Sequence, residues 1–466
     1  MKNFQTLHTD FYQISMAMAY IMDNRANVNT GFEGFIRHIK TAVNPNEDFY
    51  IFDGETEIKA FIKLMRVEIK DPQFKETFWK LIEPKITAPN KNQIRKDFDI
   101  KWEDIETDFE FTVVPNGTVV LPKVPVFQYK GPKIWGQIIE TIVTNIYNGR
   151  TGLATIKYLR DNGMTCYIGD EEFDFINGIM NNETDAIIKY EKILRKTAKK
   201  FRKSTDKILL EASYRRSPSK ETADMATTIA IQNGWNGTSN VGAFLQGFIS
   251  QDTIGGTMAH AFVMSYENER DAFIAWDRIF PATTMLIDTY DVVNAATMIK
   301  QMVDDGEITS PTDVRIDSDP LDVYSKQVDE IFNGTMVSRV DNVTGQRVDN
   351  FISGDMSVEK FEKFEFDGIP FTKAMAGTKY VYDNMIVEKL NSGFVYKIVE
   401  YVNEAGEIIR PLKRATSKSN YPGLKQCSYN EVKNVLTVWC ITQDGQFGFN
   451  AMDKVRPDTK VEFKSA

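Results

Sequence analysis

The residues best suited to chemistry lie in GWNGTSNVGAFLQGFISQDTIGGTMAHAFVMSY, residues 234–266, where two glycine-rich turns bracket an apolar segment and the second leads to His260. Gly255 and Gly256 permit close backbone approach and positive φ, and an imidazole placed by such a turn can act as acid, base or nucleophile near neutral pH. The ordinary alternative is a histidine held by a backbone bond in a packed turn. Arg215 and Arg216 close an apolar run, and paired guanidiniums at a strand end suit bidentate recognition of a carboxylate or phosphate, or else surface ion pairs. Acidic strand ends follow: Asp288 and Asp291 in LIDTYD, then Arg315, Asp317 and Asp319 in VRIDSD. Such carboxylates can hold ribose hydroxyls and a magnesium ion that neutralises pyrophosphate, while Ser318 and Asp319 also read as helix N-caps. In KAMAGTKY, Gly377 and Thr378 offer backbone amides to a phosphate, or form a plain β-turn.

These residues need strands that end in polar groups. KILLEASYRR, MLIDTYD and DVRIDSD each run from an apolar stretch into charge, and NAATMIKQMV and LDVYSKQVDEIF read as helices following the last two. Repeated βα units of this kind predict a parallel barrel or an open α/β sheet, and a site drawn from many strands favours the barrel. Before them, residues 7–22 read as a helix capped by Thr9 or Asp10. GFEGFIRH, DFYIFDG, FEFTVV and GTVVLPKVPVFQYKG read as strands of an α+β domain over 1–132. Two long helices begin the 133–380 domain. After 380, SGFVYKIVEYV, EIIRPLKR, NVLTVWCITQDGQFGF and KVEFKSA return to short strands, with Asp444-Gly445 as a hairpin signal, so 381–466 is expected to complete the N-terminal domain.

A net charge of −9 argues against a nucleic-acid or anionic-membrane binder, so any phosphate site is local. The basic run from Lys192 to Lys203 reads as a solvated helix face. Three scattered cysteines fit neither a disulfide framework nor a zinc site. The N-terminus lacks the apolar stretch of a signal peptide, and a cytoplasmic protein is expected.

Taken in order, TDFYQISMAMAY, FEGFIR, GPKIWGQIIETIVTNIYN, GWNGTSNVGAF, GGTMAHAFVMSY, FPATTMLIDTYD, VRIDS, AGTK, VYKIVE and PGLKQ resemble the nicotinate phosphoribosyltransferase family, related to nicotinamide phosphoribosyltransferase. The resemblance implies a type II phosphoribosyltransferase fold: an irregular parallel α/β barrel plus an α+β domain built from both chain ends, working as a homodimer with the site at the interface. It implies nicotinate, phosphoribosyl pyrophosphate and ATP as substrates, with Mg2+. By the same resemblance Tyr12 stacks on the pyridine from across the interface, and His260 is the histidine phosphorylated by ATP. Arg215 and Arg216 lie near the nicotinate and phosphates. Asp288, Arg315 and Asp317 surround the ribose and the histidine, with Ser318 in the same stretch, and Gly377 and Thr378 form the 5′-phosphate loop.

Ser239 occupies the position where nicotinamide-using relatives carry an aspartate. A neutral serine can approach a carboxylate that an aspartate would repel, which favours nicotinate. The chain departs from the family pattern in reading DSDPL rather than DSGDL at 317–321, and in placing Ala212 and Ser213 before the arginines, where Tyr214 offers a substitute stacking wall. Residues 161–187 match nothing in the pattern. Nicotinamide transfer and a binding protein without turnover remain the alternatives.

Overall fold

The computed structural model describes residues 1–37, 48–334, 347–411, 422–441 and 446–464. The N-terminal part contributes β1 (Asn29–Ile36), β2 (Tyr50–Ile51), β3 (Glu110–Val113), β4 (Val119–Val120) and β5 (Pro125–Pro132). The middle contributes β6 (Ile208–Glu211), β7 (Gly237–Thr238), β8 (Met285–Leu286), β9 (Asp313–Ile316), β10 (Asp349–Ile352) and β11 (Lys373–Ala376). The C-terminal part adds β12 (Phe394–Val402), β13 (Ile408–Ile409), β14 (Lys425–Asn430), β15 (Val435–Cys440), β16 (Gly448–Asn450) and β17 (Lys460–Lys464).

Strands β6–β11 form one six-stranded sheet in the order β7-β6-β11-β10-β9-β8, parallel throughout. They are short and mostly buried, as expected of strands covered on both faces by crossover helices. The predicted βα rhythm is present, with helices Val292–Asp304 and Leu321–Asn333 following β8 and β9. Among the described residues no ladder joins β7 to β8, so hydrogen bonds do not close the sheet into a ring.

A second sheet, ordered β13-β12-β1-β5-β3, brings the two chain ends together: β1 pairs antiparallel with both β5 and β12. Among the described residues, only β12 and β13 of the C-terminal part join it. The rest forms a separate sheet, β16-β14-β15-β17, tied to β1 by the buried pair of Lys425 and Glu33. Asp444 and Gly445 lie outside the described residues, and the strands flanking them do not pair: β16 lies beside β14, not β15.

Between these layers runs the helix Glu140–Asp161, buried on most of its surface, preceded by the short helix Lys133–Ile138. The helix Thr184–Ser204 buries Tyr190, Leu194, Ala198 and Phe201 and exposes Lys192, Lys196, Lys199, Lys200 and Lys203, the amphipathic division expected of a solvated basic face. Among the described residues no helix is long and apolar enough to cross a membrane.

Candidate active site

The carboxyl ends of the six parallel strands face the antiparallel sheet, and two adjoining cavities lie between them, of about 130 and about 240 Å3. Each strand delivers polar groups at its end. Arg215 and Arg216 follow β6, Ser239 follows β7, Asp288 follows β8, Asp317 follows β9, Ser353 follows β10, and Gly377 and Thr378 follow β11. Ligand sites of open parallel sheets lie at these ends because the loops there are free to carry chemistry.

His260 opens a one-turn helix after the Gly255-Gly256 turn and faces both cavities. Neither glycine has positive φ, contrary to expectation, but close approach is real at Gly256, where an added Cβ would lie 2.4 Å from the Tyr12 backbone nitrogen. The first helix, Phe11–Met22, clamps the turn: Ser15 donates to the Thr257 carbonyl at 3.2 Å. The His260 Nδ1 lies 3.2 Å from Thr289 Oγ1, and its Nε2 lies 3.8 Å from Asp288 Oδ2 and 3.7 Å from Asp317 Oδ2. Asp288 is buried behind the ring and accepts from Ser318, while Asp317 accepts from Ser353 at 2.7 Å. Two carboxylates flanking one imidazole orient it and stabilise positive charge on it. Arg315 donates to Thr257 at 2.7 Å and so fixes the same turn.

The two arginines occupy a tight turn, Tyr214–Arg216, held by the helix Glu140–Asp161. Asn145 donates to the carbonyls of Tyr214 and Ser217 at 2.8 and 2.9 Å, and Asn148 donates to that of Arg216 at 2.9 Å. Arg215 donates to Glu140 at 3.0 Å. Its guanidinium is held above the ordinary arginine range by the neighbouring Tyr12, Glu140, Asp10 and Asp317, against the cost of burial. Burial and the adjacent Arg215 push Arg216 down to about 10. Below the turn Glu211 is buried, and its two oxygens accept from Ser213, Thr227 and Thr238, which locks β6, β7 and the helix Lys220–Gln232 together.

In the smaller cavity Tyr12 lies beside Arg215, with the guanidinium carbon 5.9 Å from the ring centre. Within the chain, Tyr12 lines the same cavity as Arg215 and His260. The reason is local: Phe11 N donates to the Ser239 carbonyl and Asp10 forms a β-bridge with Asn240, so the first helix starts on its own β7 loop. Ser239 donates to Asp10, whose other oxygen accepts from Thr141 at 2.8 Å. Burial raises the Asp10 carboxyl to about 6, against Arg215 and the two hydroxyls, which lower it.

Several expectations are corrected. Asp291 is exposed and caps the helix Val292–Asp304 through Asn294 N at 2.8 Å. Ser318 and Asp319 do not cap the helix that follows; Pro320 stands at that position without a side-chain bond, Ser318 turns to Asp288, and Asp319 pairs with Lys360 at the surface. Tyr214 is buried outside both cavities and does not replace the wall lost at Ala212. The aromatic wall comes instead from Phe32 of β1 and Tyr396 of β12, stacked 5.0 Å apart.

Sequence reading missed those two rings, Asp10, Gln137 and Glu140 in the smaller cavity, and Arg37 and Lys397, which line both cavities. FEGFIR, TDFYQ, GPKIWGQIIE and VYKIVE already contained all of them, so polar residues within otherwise apolar runs were the available signal. Around the larger cavity stand Arg37, Arg215, Arg216 and Lys397 against Asp317 and Asp355. A chain of net charge −9 therefore has a cationic hollow where anions would bind.

No protein-family model matches the chain. The chain is 24% identical over 422 residues to a nicotinate phosphoribosyltransferase of Mycobacterium tuberculosis, covering 90% of this chain and 74% of that one. It is 24% identical over 431 residues to the nicotinate phosphoribosyltransferase of Bacillus subtilis, covering 90% and 72%. Among solved structures it resembles nicotinate phosphoribosyltransferases from Porphyromonas gingivalis (TM-score 0.53, 16% identity, 89% of this chain and 95% of that one) and Vibrio cholerae (TM-score 0.54, 13% identity, 89% of each). The fold is thus the mixed α/β fold of these enzymes, with two cavities at the parallel strand ends. Within it the chain is a distant relative of the nicotinate phosphoribosyltransferase family.

Proposed function

We propose that this protein is a nicotinate phosphoribosyltransferase acting in NAD synthesis, which joins nicotinate to phosphoribosyl pyrophosphate and releases nicotinate mononucleotide and pyrophosphate. The observation that carries the reading is the convergence of His260, Asp317 and Arg215 on two joined cavities, one walled by aromatic rings and one lined by four cations. The first suits a flat pyridine and the second a phosphorylated sugar. The similarity to curated nicotinate phosphoribosyltransferases over nine-tenths of the chain supports the same activity.

In this reading Tyr12, Phe32 and Tyr396 hold the ring, and Arg215 draws its carboxylate. As pyrophosphate leaves, positive charge develops at C1 of the ribose, and Asp317, which lines both cavities, stands where it can stabilise it while the pyridine nitrogen forms the new bond; Asp288 holds the imidazole from behind. Arg37, Arg216 and Lys397 meet the phosphates, with backbone amides of Gly377 and Thr378 beside them. His260 takes the phosphoryl group of ATP on a ring nitrogen, releasing ADP, and water then cleaves the phosphohistidine to phosphate. Asp288, Asp317 and His260 offer ligand atoms within 4.8 Å of one another. The two carboxylates are the hard oxygen donors Mg2+ prefers, and the ion would neutralise pyrophosphate there. The enzyme works as a cytoplasmic homodimer.

Turnover assays with phosphoribosyl pyrophosphate and nicotinate, with and without ATP, test the reading. Product formation stimulated by ATP is expected; no product from either nicotinate or nicotinamide would overturn it. A His260→Ala variant that keeps the full ATP-stimulated rate would remove the phosphohistidine from the mechanism.

A further inference from the structure

Ser239 is the residue on which the choice of an acid over an amide rested, and its hydroxyl is already engaged. It donates to Asp10, so the serine oxygen meets the cavity with lone pairs only. Asp10 is buried, also lines the cavity, and accepts a second hydroxyl from Thr141. An oxygen that can only accept suits the N–H of a carboxamide; facing a carboxylate it gives two acceptors and no proton.

We propose that Asp10 sets which base the smaller cavity takes, by commanding the Ser239 proton: a carboxamide binds with Asp10 ionised, and a carboxylate-bearing base binds with uptake of one proton by the Asp10–Ser239 pair. Atoms balance simply. A solvent proton adds to the Asp10 carboxylate, the new O–H donates to Ser239 Oγ, the serine hydrogen turns to the ligand carboxylate, and the proton returns to solvent when the site empties. The surroundings place this exchange within reach of ordinary pH. Arg215 on the arginine turn favours the anion; Glu211 at the end of β6 favours the acid; Thr141 and Ser239 bond the anion; and burial, the largest influence, brings the carboxyl to about 6. Glu140, beside Thr141, and Tyr12 also border the cavity.

The inference rests on the proposed activity for its choice of bases, but its test reads a ratio that survives without turnover. The dissociation constants of nicotinate and nicotinamide are measured by isothermal titration calorimetry from about pH 5.5 to about pH 8.5 and taken as a ratio, so that titrations common to both bases cancel. In the wild type, preference for nicotinate is expected to fall by about tenfold per pH unit above the Asp10 midpoint. Asp10→Asn should flatten the ratio and favour nicotinate at high pH. Ser239→Ala, which keeps Asp10 but removes both the acceptor and the relay, should weaken both bases and leave their ratio less dependent on pH. A wild-type ratio independent of pH, or an unchanged pH dependence in Asp10→Asn, overturns the proposal. Absence of turnover with either base overturns the proposed activity and leaves the binding ratio to decide this one.

Discussion

Glu140 does not touch the expected nucleophile, yet the geometry makes it the residue that aims Arg215. One carboxylate oxygen accepts from Arg215 Nη1 at 3.0 Å and the other from Gln13 Nε2 at 2.7 Å, and Gln13 in turn accepts from Gln137. A hydrogen bond to a charged partner contributes about 1.5–3 kcal/mol net, against about 1 kcal/mol for a neutral one. Glu140→Ala removes the acceptor altogether and should cost roughly 2–3 kcal/mol of transition-state binding, a fall of about 30- to 150-fold in kcat/KM. Glu140→Gln is different. Its carbonyl can still face Arg215 if the amides of Gln13 and Gln137 both flip, and the Gln137 oxygen, now buried without a hydrogen bond, is free to receive the reversed chain. Only charge assistance is then lost, roughly 1 kcal/mol or about fivefold. Steady-state kinetics of both variants, beside their thermal unfolding, measure the series. Full activity in Glu140→Ala refutes the aiming role, and equal losses in the two variants would show that the cavity needs the charge of Glu140 rather than its hydrogen bond.

Other outcomes follow from the same geometry. His8 is held down to about 3 by burial and then by Lys220, so it is neutral when folded and protonated when unfolded between about pH 3 and pH 6.5; folding stability should fall with acid through that window, by about 2 kcal/mol at about pH 5, and His8→Gln should remove the loss in denaturant titrations. Gly256→Ala places a methyl against the Tyr12 backbone and should cost about 1–3 kcal/mol in unfolding free energy while raising KM for the base about tenfold. Lys425→Met strands Glu33 in the core and should lower stability by about 3–5 kcal/mol in urea unfolding, and a loss under about 1 kcal/mol would show that water reaches Glu33. Replacing Asp319 by Gly and Pro320 by Asp should change kcat/KM by less than about threefold, a difference under about 0.7 kcal/mol.

What could be read from the chain alone was whatever local order encodes. Apolar runs breaking into Arg215, Asp288 and Asp317 are strands that end at a site, because a short strand covered on both faces leaves only its end free for polar groups. The turn before His260 was legible for the same reason, since two adjacent glycines mark a close approach whose partner, the Tyr12 backbone, the sequence does not name. Asp10 shows where local reading stops. Directly before a helix it reads as a cap, yet its side chain makes no cap bond; its partners are Thr141 and Ser239, 131 and 229 residues away. Phe32 and Tyr396 meet only because β12 pairs beside β1, a register set by the whole sheet. Glu140 lies among the buried residues of a core helix, and its place in an apolar run was a weak signal because a glutamate also suits the first turn of a helix.

The altered loop at 317–321 was the main sequence argument for a protein that binds without turning over, and the position of each residue weakens that argument. Asp317 keeps its place at the cavities, fixed by Ser353, and Ser318 holds Asp288 against the imidazole. The two departures begin one residue later. Asp319 points to solvent and pairs with Lys360, and Pro320 precedes the helix Leu321–Asn333, a position that needs no backbone N–H. The change therefore falls on the outward side of the turn. Ala212 does line both cavities, but the ring wall that a larger residue would supply there is provided by Phe32 and Tyr396 from the antiparallel sheet. Both departures leave in place the groups that the proposed chemistry uses, His260 and its two carboxylates among them.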